Sequence, residues 1–537
     1  MTNERAGVVN KDVVVVGAGF GGLYAIHKLR SQGLSVQAFE TGDDVGGTWY
    51  WNRYPGARCD VESMEYSYSF SPELEREWVW SERYAPQPEI LRYLQHVAER
   101  FDLRRDIAFE TRVTAVHYED ATGLWRVRTD RGDEVLARFC VMATGCLSAG
   151  SAPNIPGLAD FTGTLYQTHQ WPKEQVDVTG LRVGVVGTGS SGIQVIPMLA
   201  QQAAQLTVFQ RTPNFSVPAL NRPLGADERQ SFIDRYPELR NTWRHGLTGL
   251  GCGDPPPVSA LEVDAAERTA NFQKFWNKGG PCVGFTYNDL IVNKAANDTL
   301  SEFIRERIRD TVKDPAVAEK LLPRFPVATK RMCVDTNYYA TYNKPNVELI
   351  DIKQTPIERI TATGVQVGGR EVPLDVLVLA TGFDAVTGAV LRMDIRGRNG
   401  LRLADKWQEG PKMYLGLMTH GFPNLFTITG AGSPSIVSSM IISIEQHVEY
   451  IADLLAYMAR RGLTHVEAEQ QAEEQWAQHV TDVADGTLYP GTASLYVGAN
   501  IPGKPRVMLP YLGGVGPYRQ KCDEIAAADY VGFALSA

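Results

Sequence analysis

Two stretches of the chain carry unbroken runs of β-branched residues that end in a glycine loop, and they organise the rest. The run Asp12-Val-Val-Val-Val-Gly17 lacks the alternation of a half-exposed strand, so it reads as a strand buried on both faces of a parallel sheet. It leads through Gly17, Gly19 and Gly22 into a helical pattern, and a second strand, Ser35-Val-Gln-Ala-Phe-Glu40, ends in an acid. The unit then recurs: Leu181-Arg-Val-Gly-Val-Val runs into Gly187, Gly189, Ser190 and Gly192, and the strand Gln205-Leu-Thr-Val-Phe is followed by Gln210, Arg211 and Thr212. Two more apolar strands, from Phe139 and from Val376, end in Ala-Thr-Gly. Residues 222–325 show helical periodicity and few strand signals, as in the runs from Ala265 to Trp276 and from Thr299 to Ile308.

Each glycine has a task in G-x-G-x-x-G. The first permits a tight turn, the second lets backbone approach a pyrophosphate, and the third lets helix and strand pack closely. The helix N-terminus that follows offers free N–H groups to phosphate. Glu40 stands where a ribose 2′-hydroxyl needs an acceptor, as in FAD. Arg211 stands at the matching place in the second unit. There a carboxylate would repel a 2′-phosphate and a guanidinium would grip it, which favours NADPH over NADH; the alternative is a plain surface arginine. The fold expected is α/β, with two Rossmann-like dinucleotide-binding domains and a helical insertion. The Ala-Thr-Gly turns mark crossings between them. Residues 1–147 and 384–537 then form the FAD-binding domain, 148–221 and 326–383 the NADP-binding domain, and 222–325 the insertion.

Composition narrows the function. Hydrophobic residues at 44% and charged residues at 21% fit a soluble globular protein, and a net charge of −9 without a basic cluster points to no nucleic-acid partner. No apolar run approaches the ~20 residues needed to span a bilayer, and the polar N-terminus lacks the core of a signal peptide. The seven cysteines are scattered without a CxxC pair, which argues against a disulfide framework, a thiol redox centre and a zinc site, and for a reducing cytoplasm. Among two-nucleotide flavoproteins this removes the disulfide reductases. Amine-hydroxylating enzymes, ketone monooxygenases and a non-catalytic NADPH sensor remain.

The discriminating residues lie between the units. Gly46-Gly47-Thr48-Trp49 runs on through Tyr54-Pro55-Gly56 to Asp60, and Phe161-x-Gly163 runs on through Gln167 and His169 to Trp171-Pro172. Here the chain resembles the type I Baeyer–Villiger monooxygenases over nearly its full length. The second motif departs from the family fingerprint in one place, with Gln167 at the histidine and His169 two residues on. If that segment is extended, both share a face. The resemblance implies FAD, NADPH, O2 and a ketone substrate, a monomer or weak homo-oligomer, and no metal. It places Gly47, Thr48, Trp49 and Tyr66 along FAD, and Thr212 and Lys330 near the NADP ribose and phosphate. Trp49 and Tyr54 flank the expected flavin or serve as core aromatics. Arg331, with Asp60 as its partner, would stabilise a flavin C4a-peroxide. The substrate loop is implied to be Ser435, Ile436, Val437 and Met440. Leu495 replaces a tryptophan of the relatives, and the smaller side chain favours bulky or long-chain ketones and sulfides. Heteroatom oxidation is the alternative reaction.

Overall fold

The computed structural model describes residues 9–151 and 153–537, so most of the N-terminal stretch read for a leader lies outside them. The first apolar run becomes the middle of an eight-stranded sheet because neither face is left to water: Val13, Val14 and Val15 are fully buried. The strand Val9–Val16 pairs in parallel with Val36–Phe39 and with Glu134–Met142. The order across the sheet is Asp394–Arg396, Val113–Glu119, Leu124–Thr129, Glu134–Met142, Val9–Val16, Val36–Phe39, Ile107–Ala108, with Leu425–Thr427 also beside Glu134–Met142. Strands from both ends of the chain therefore share one sheet.

The second unit forms a five-stranded parallel sheet in the order Val347–Asp351, Gln205–Gln210, Arg182–Val186, Val376–Leu379, Thr164–Gln167. A small antiparallel sheet, Ile357–Ile360, Gly364–Val367 and Arg370–Pro373, packs Val365 and Val367 into one apolar cluster with Phe209 and Leu377. Helices dominate the insertion, as the periodicity predicts: Ala226–His245, Ala265–Trp276, Lys294–Thr311 and Pro315–Leu321. Lys294–Thr311 buries Leu300, Phe303, Ile304 and Ile308, one stripe of its surface, and the Asn293 side chain caps its first turn.

Two expectations are corrected. Cys252 and Cys282 form a disulfide, because a turn and the 3₁₀ helix Pro281–Phe285 of the insertion bring their Cα atoms to 5.1 Å, within bridging range. A separation of 30 residues carries no motif, so cysteine spacing could not find it, and the argument for a reducing compartment loses that support. The segment after Gln167 is also not extended. The ladder with Val376–Leu379 ends at the pair Leu379 and Gln167, and without a further partner Thr168–Gln170 closes into a 3₁₀ turn. Gln167 and His169 therefore do not share a strand face.

Candidate active site

The first loop is shaped by contacts only glycine allows. Gly17 has φ +106°, and a Cβ there would lie 2.5 Å from the Ala143 carbonyl oxygen; one on Gly22 would lie 1.8 Å from that of Gly17. Gly46-Gly47 folds over the loop, so that a Cβ on Gly19 would sit 3.3 Å from Gly47 Cα. Glu40 is buried beneath. Its Oε2 accepts from the Ala18 N–H and its Oε1 from the Gly42 N–H, both at 2.8 Å. Burial pushes this carboxyl up, against the pull of those bonds. Each oxygen keeps a lone pair for a ribose hydroxyl. Thr48 opens the short helix Thr48–Trp51. Trp49 Nε1 donates to the Tyr66 hydroxyl at 3.2 Å, with the two rings edge to face. Tyr54 goes elsewhere: its hydroxyl donates to Gln194 Oε1 at 2.8 Å, on the helix Ser190–Leu199 of the second unit.

The second loop repeats the first in its turn. Gly187 has φ +112°, a Cβ there would lie 2.3 Å from the Ala380 carbonyl oxygen, and one on Gly192 would lie 2.2 Å from that of Gly187. A Cβ on Gly189, however, would meet nothing within 4 Å. Ser190 is exposed, its hydroxyl 3.2 Å from Cys333 Sγ. Arg211 is exposed, and Lys330 is close enough that, after burial, Arg211 is what holds the ammonium pKa down. Among the described residues neither cation makes an ion pair. Two like charges are thus kept together without a paired carboxylate. Thr212 lies beside Arg211, its carbonyl accepting from the Thr188 hydroxyl at 3.0 Å.

Asp60 and Arg331 meet between the loops. Arg331 Nε and Nη2 each donate to Asp60 at 2.7 Å, and Nη1 donates to the Ile436 carbonyl at 3.0 Å. A guanidinium has five N–H donors, so one remains on each terminal nitrogen. Burial pushes the Asp60 carboxyl up, but the charge and hydrogen bonds of Arg331 outweigh it and hold the acid below the usual carboxylate range. Asp60 in turn keeps the guanidinium charged.

Ile436, Val437, Met440 and Leu495 converge in one apolar cluster with Tyr489 and Tyr496. Ser435 is turned away. It is buried, with its hydroxyl 2.8 Å from that of Ser433 and 3.4 Å from the Thr429 carbonyl. Tyr496 was missed in the sequence, where nothing but its place beside Leu495 pointed to it. In the linker motif, a Cβ on Gly163 would lie 2.5 Å from the Asp375 carbonyl oxygen and 2.6 Å from the Phe161 ring. Trp171 is buried against Tyr166. His169 packs edge-on against Phe383, where Gly150 and Phe383 bridge the two crossings. No side-chain hydrogen bond holds Gln167 among the described residues.

Comparison with known proteins gives a consistent answer. A family model described as pyridine nucleotide-disulphide oxidoreductase matches residues 11–235. The chain is similar to cyclohexanone 1,2-monooxygenase from Acinetobacter sp, 43% identical over 529 residues, 97% of this chain and 96% of that protein. A phenazine N-monooxygenase from Lysobacter antibioticus is 41% identical over 536 residues, 98% of this chain and 97% of its own. Among solved structures, oxidized steroid monooxygenase bound to NADP superposes with a TM-score of 0.94 at 50% identity, covering 98% of this chain and 100% of that one.

Proposed function

Because this chain belongs to the Baeyer–Villiger monooxygenases, we propose that the first glycine loop holds FAD, the second holds NADPH, and Arg331 is the catalytic cation between them. The enzyme converts a ketone, O2, NADPH and a proton into an ester or lactone, NADP⁺ and water. Bound FAD, once reduced by NADPH, supplies the activated oxygen. The rest falls to the chain's own residues. Glu40 takes the ribose hydroxyls of FAD with its spare lone pairs, under the cover of Gly47, Thr48, Trp49 and Tyr66. Arg211 and Lys330 take the NADPH 2′-phosphate, with Thr212 at the ribose.

The observation that carries the reading is the bidentate Asp60–Arg331 pair with two N–H groups uncommitted beside an apolar cluster. Asp60 fixes the guanidinium plane, and the free donors stabilise negative charge as it develops on oxygen. Such preorganised donors act most strongly where water is excluded. Val437, Met440 and Leu495 exclude it and seat the apolar body of the ketone. We assign residues 1–147 and 384–537 to the FAD-binding domain, 148–221 and 326–383 to the NADP-binding domain, and 222–325 to the insertion. We take the enzyme to be a monomer or weak homo-oligomer of the cytoplasm, where NADPH is regenerated; no described helix is long and apolar enough to cross a membrane.

With leucine at 495 the substrates are bulky or long-chain apolar ketones, and sulfides as a side reaction. Leu495→Trp should then lower activity on large ketones relative to small ones, and an unchanged ratio rejects the idea. The deciding experiment gives the purified enzyme NADPH and a panel of ketones and identifies products by mass. Esters matched to NADPH consumed, and lost by about 10²–10³-fold in Arg331→Ala, support the reading. The similarity to a phenazine N-monooxygenase favours a second one, in which only N-oxides or sulfoxides form.

A further inference from the structure

Ile436 has φ +60°, a left-handed conformation that a β-branched residue adopts only under constraint. Its surroundings supply the constraint. The Val437 N–H bonds back to the Ser435 carbonyl at 2.8 Å, the Ser433 hydroxyl donates to the Gly430 carbonyl at 2.7 Å, and the Ser439 N–H is held by the Thr248 carbonyl at 3.1 Å. What the strained residue presents is its carbonyl, which takes Arg331 Nη1 at 3.0 Å.

We propose that Ile436, through its backbone carbonyl, is a positioning residue that aims the two uncommitted N–H groups of Arg331. Asp60 sets the guanidinium plane relative to its own carboxylate, but the two planes can still swing together about the side-chain torsions of the pair. A second anchor on Nη1 from a different loop stops the swing. The side chain of Ile436 is then secondary to its left-handed backbone, and the loop that seats the ketone is also the loop that orients the cation. This rests on the reading of Arg331 as the catalytic cation.

The test compares Ile436→Asn with Ile436→Pro in the holoenzyme, each normalised to bound flavin and checked for folding by thermal melting. Asparagine adopts the left-handed conformation readily, whereas proline locks φ near −65° and turns the carbonyl away. Both variants raise KM for apolar ketones by removing an apolar side chain. On kcat they should separate, with Ile436→Pro about 10²-fold below Ile436→Asn, as misplacement of a catalytic group by an ångström can cost. A ratio under tenfold overturns the proposal. Crystal structures of the pair give a readout independent of activity. Nη1 should remain on residue 436 in the asparagine variant and leave it in the proline variant, and the same contact in both contradicts the proposal.

If the proline variant does not fold, the asparagine variant decides: with the Nη1 contact kept, its kcat should stay within about tenfold of the wild type, and a larger loss with the contact in place overturns the proposal. Arg331→Ala run in parallel separates the two failures. If it still makes ester, the reading of Arg331 is wrong. If it is inactive while the asparagine and proline variants match, only the present proposal falls.

Discussion

The two glycine loops turn in the same way and are covered differently. At Gly17 and Gly187 the φ angles are +106° and +112°, and an added Cβ would meet the carbonyl of Ala143 or Ala380 at 2.5 and 2.3 Å. Beyond the turn they diverge. Gly19 lies under Gly47, while a Cβ on Gly189 would meet nothing within 4 Å; Glu40 is 6% exposed, while Arg211 is open to solvent. On the proposed reading, one phosphate-binding device serves two purposes. Roofed by Gly46-Gly47 and read by a buried carboxylate, it suits a cofactor that stays. Left open beside the exposed Arg211 and the half-buried Lys330, it suits one that must enter and leave in each cycle.

The comparison breaks most sharply at the third glycine. Gly22→Ala should give protein without flavin colour, because its Cβ would be driven to 1.8 Å from the Gly17 oxygen. Gly192→Ala, at 2.2 Å, should keep the flavin and lose the use of NADPH, seen as a rise in KM of at least tenfold. Flavin lost equally from both would mean that the two loops do not hold separate cofactors. Next in size, Arg211→Ala or Lys330→Ala should each reduce kcat/KM for NADPH by about 10- to 100-fold, from charge-assisted bonds of ~1.5–3 kcal/mol. Activity with NADH should scarcely move, so an equal fall with both coenzymes removes these residues from the 2′-phosphate.

Smaller is the effect of Glu40→Gln, which turns an amide N–H₂ toward the Ala18 or Gly42 N–H and should cost about 1–3 kcal/mol of flavin affinity, measured by titrating apoprotein with FAD. The same variant has a pH signature. Burial raises the folded pKa of Glu40, so the folded state holds the proton more tightly than the unfolded one. The wild type should therefore lose stability relative to Glu40→Gln as pH climbs from the ordinary carboxylate value through the raised one, and level off above it. A parallel pair of melting curves would contradict this. The smallest contrast is Gly19→Ala against Gly189→Ala: about 1 kcal/mol of holoenzyme stability in the first, where Gly47 must give way, and little in the second.

What the sequence disclosed follows the same division between local and distant causes. Both loops, Glu40, Arg211 and the helices of the insertion were legible because each needs particular residue types at fixed short spacing. Asp60 and Arg331 were legible only through motifs shared with relatives, since 271 residues separate them and no local rule pairs them. The Cys252–Cys282 bridge, the dead end of the strand at Gln167, and the reach of Tyr54 to Gln194 all depend on where distant segments come to rest. The left-handed Ile436 is harder still. Its residue type argues against that conformation, and the constraint comes from the loop around it.

The most direct test of the whole account is isotopic. Purified enzyme, NADPH and a bulky apolar ketone under ¹⁸O₂ should give an ester carrying one heavy oxygen atom, in step with NADPH consumed. NADPH oxidation that yields hydrogen peroxide without ester, or ester without the label, would contradict it.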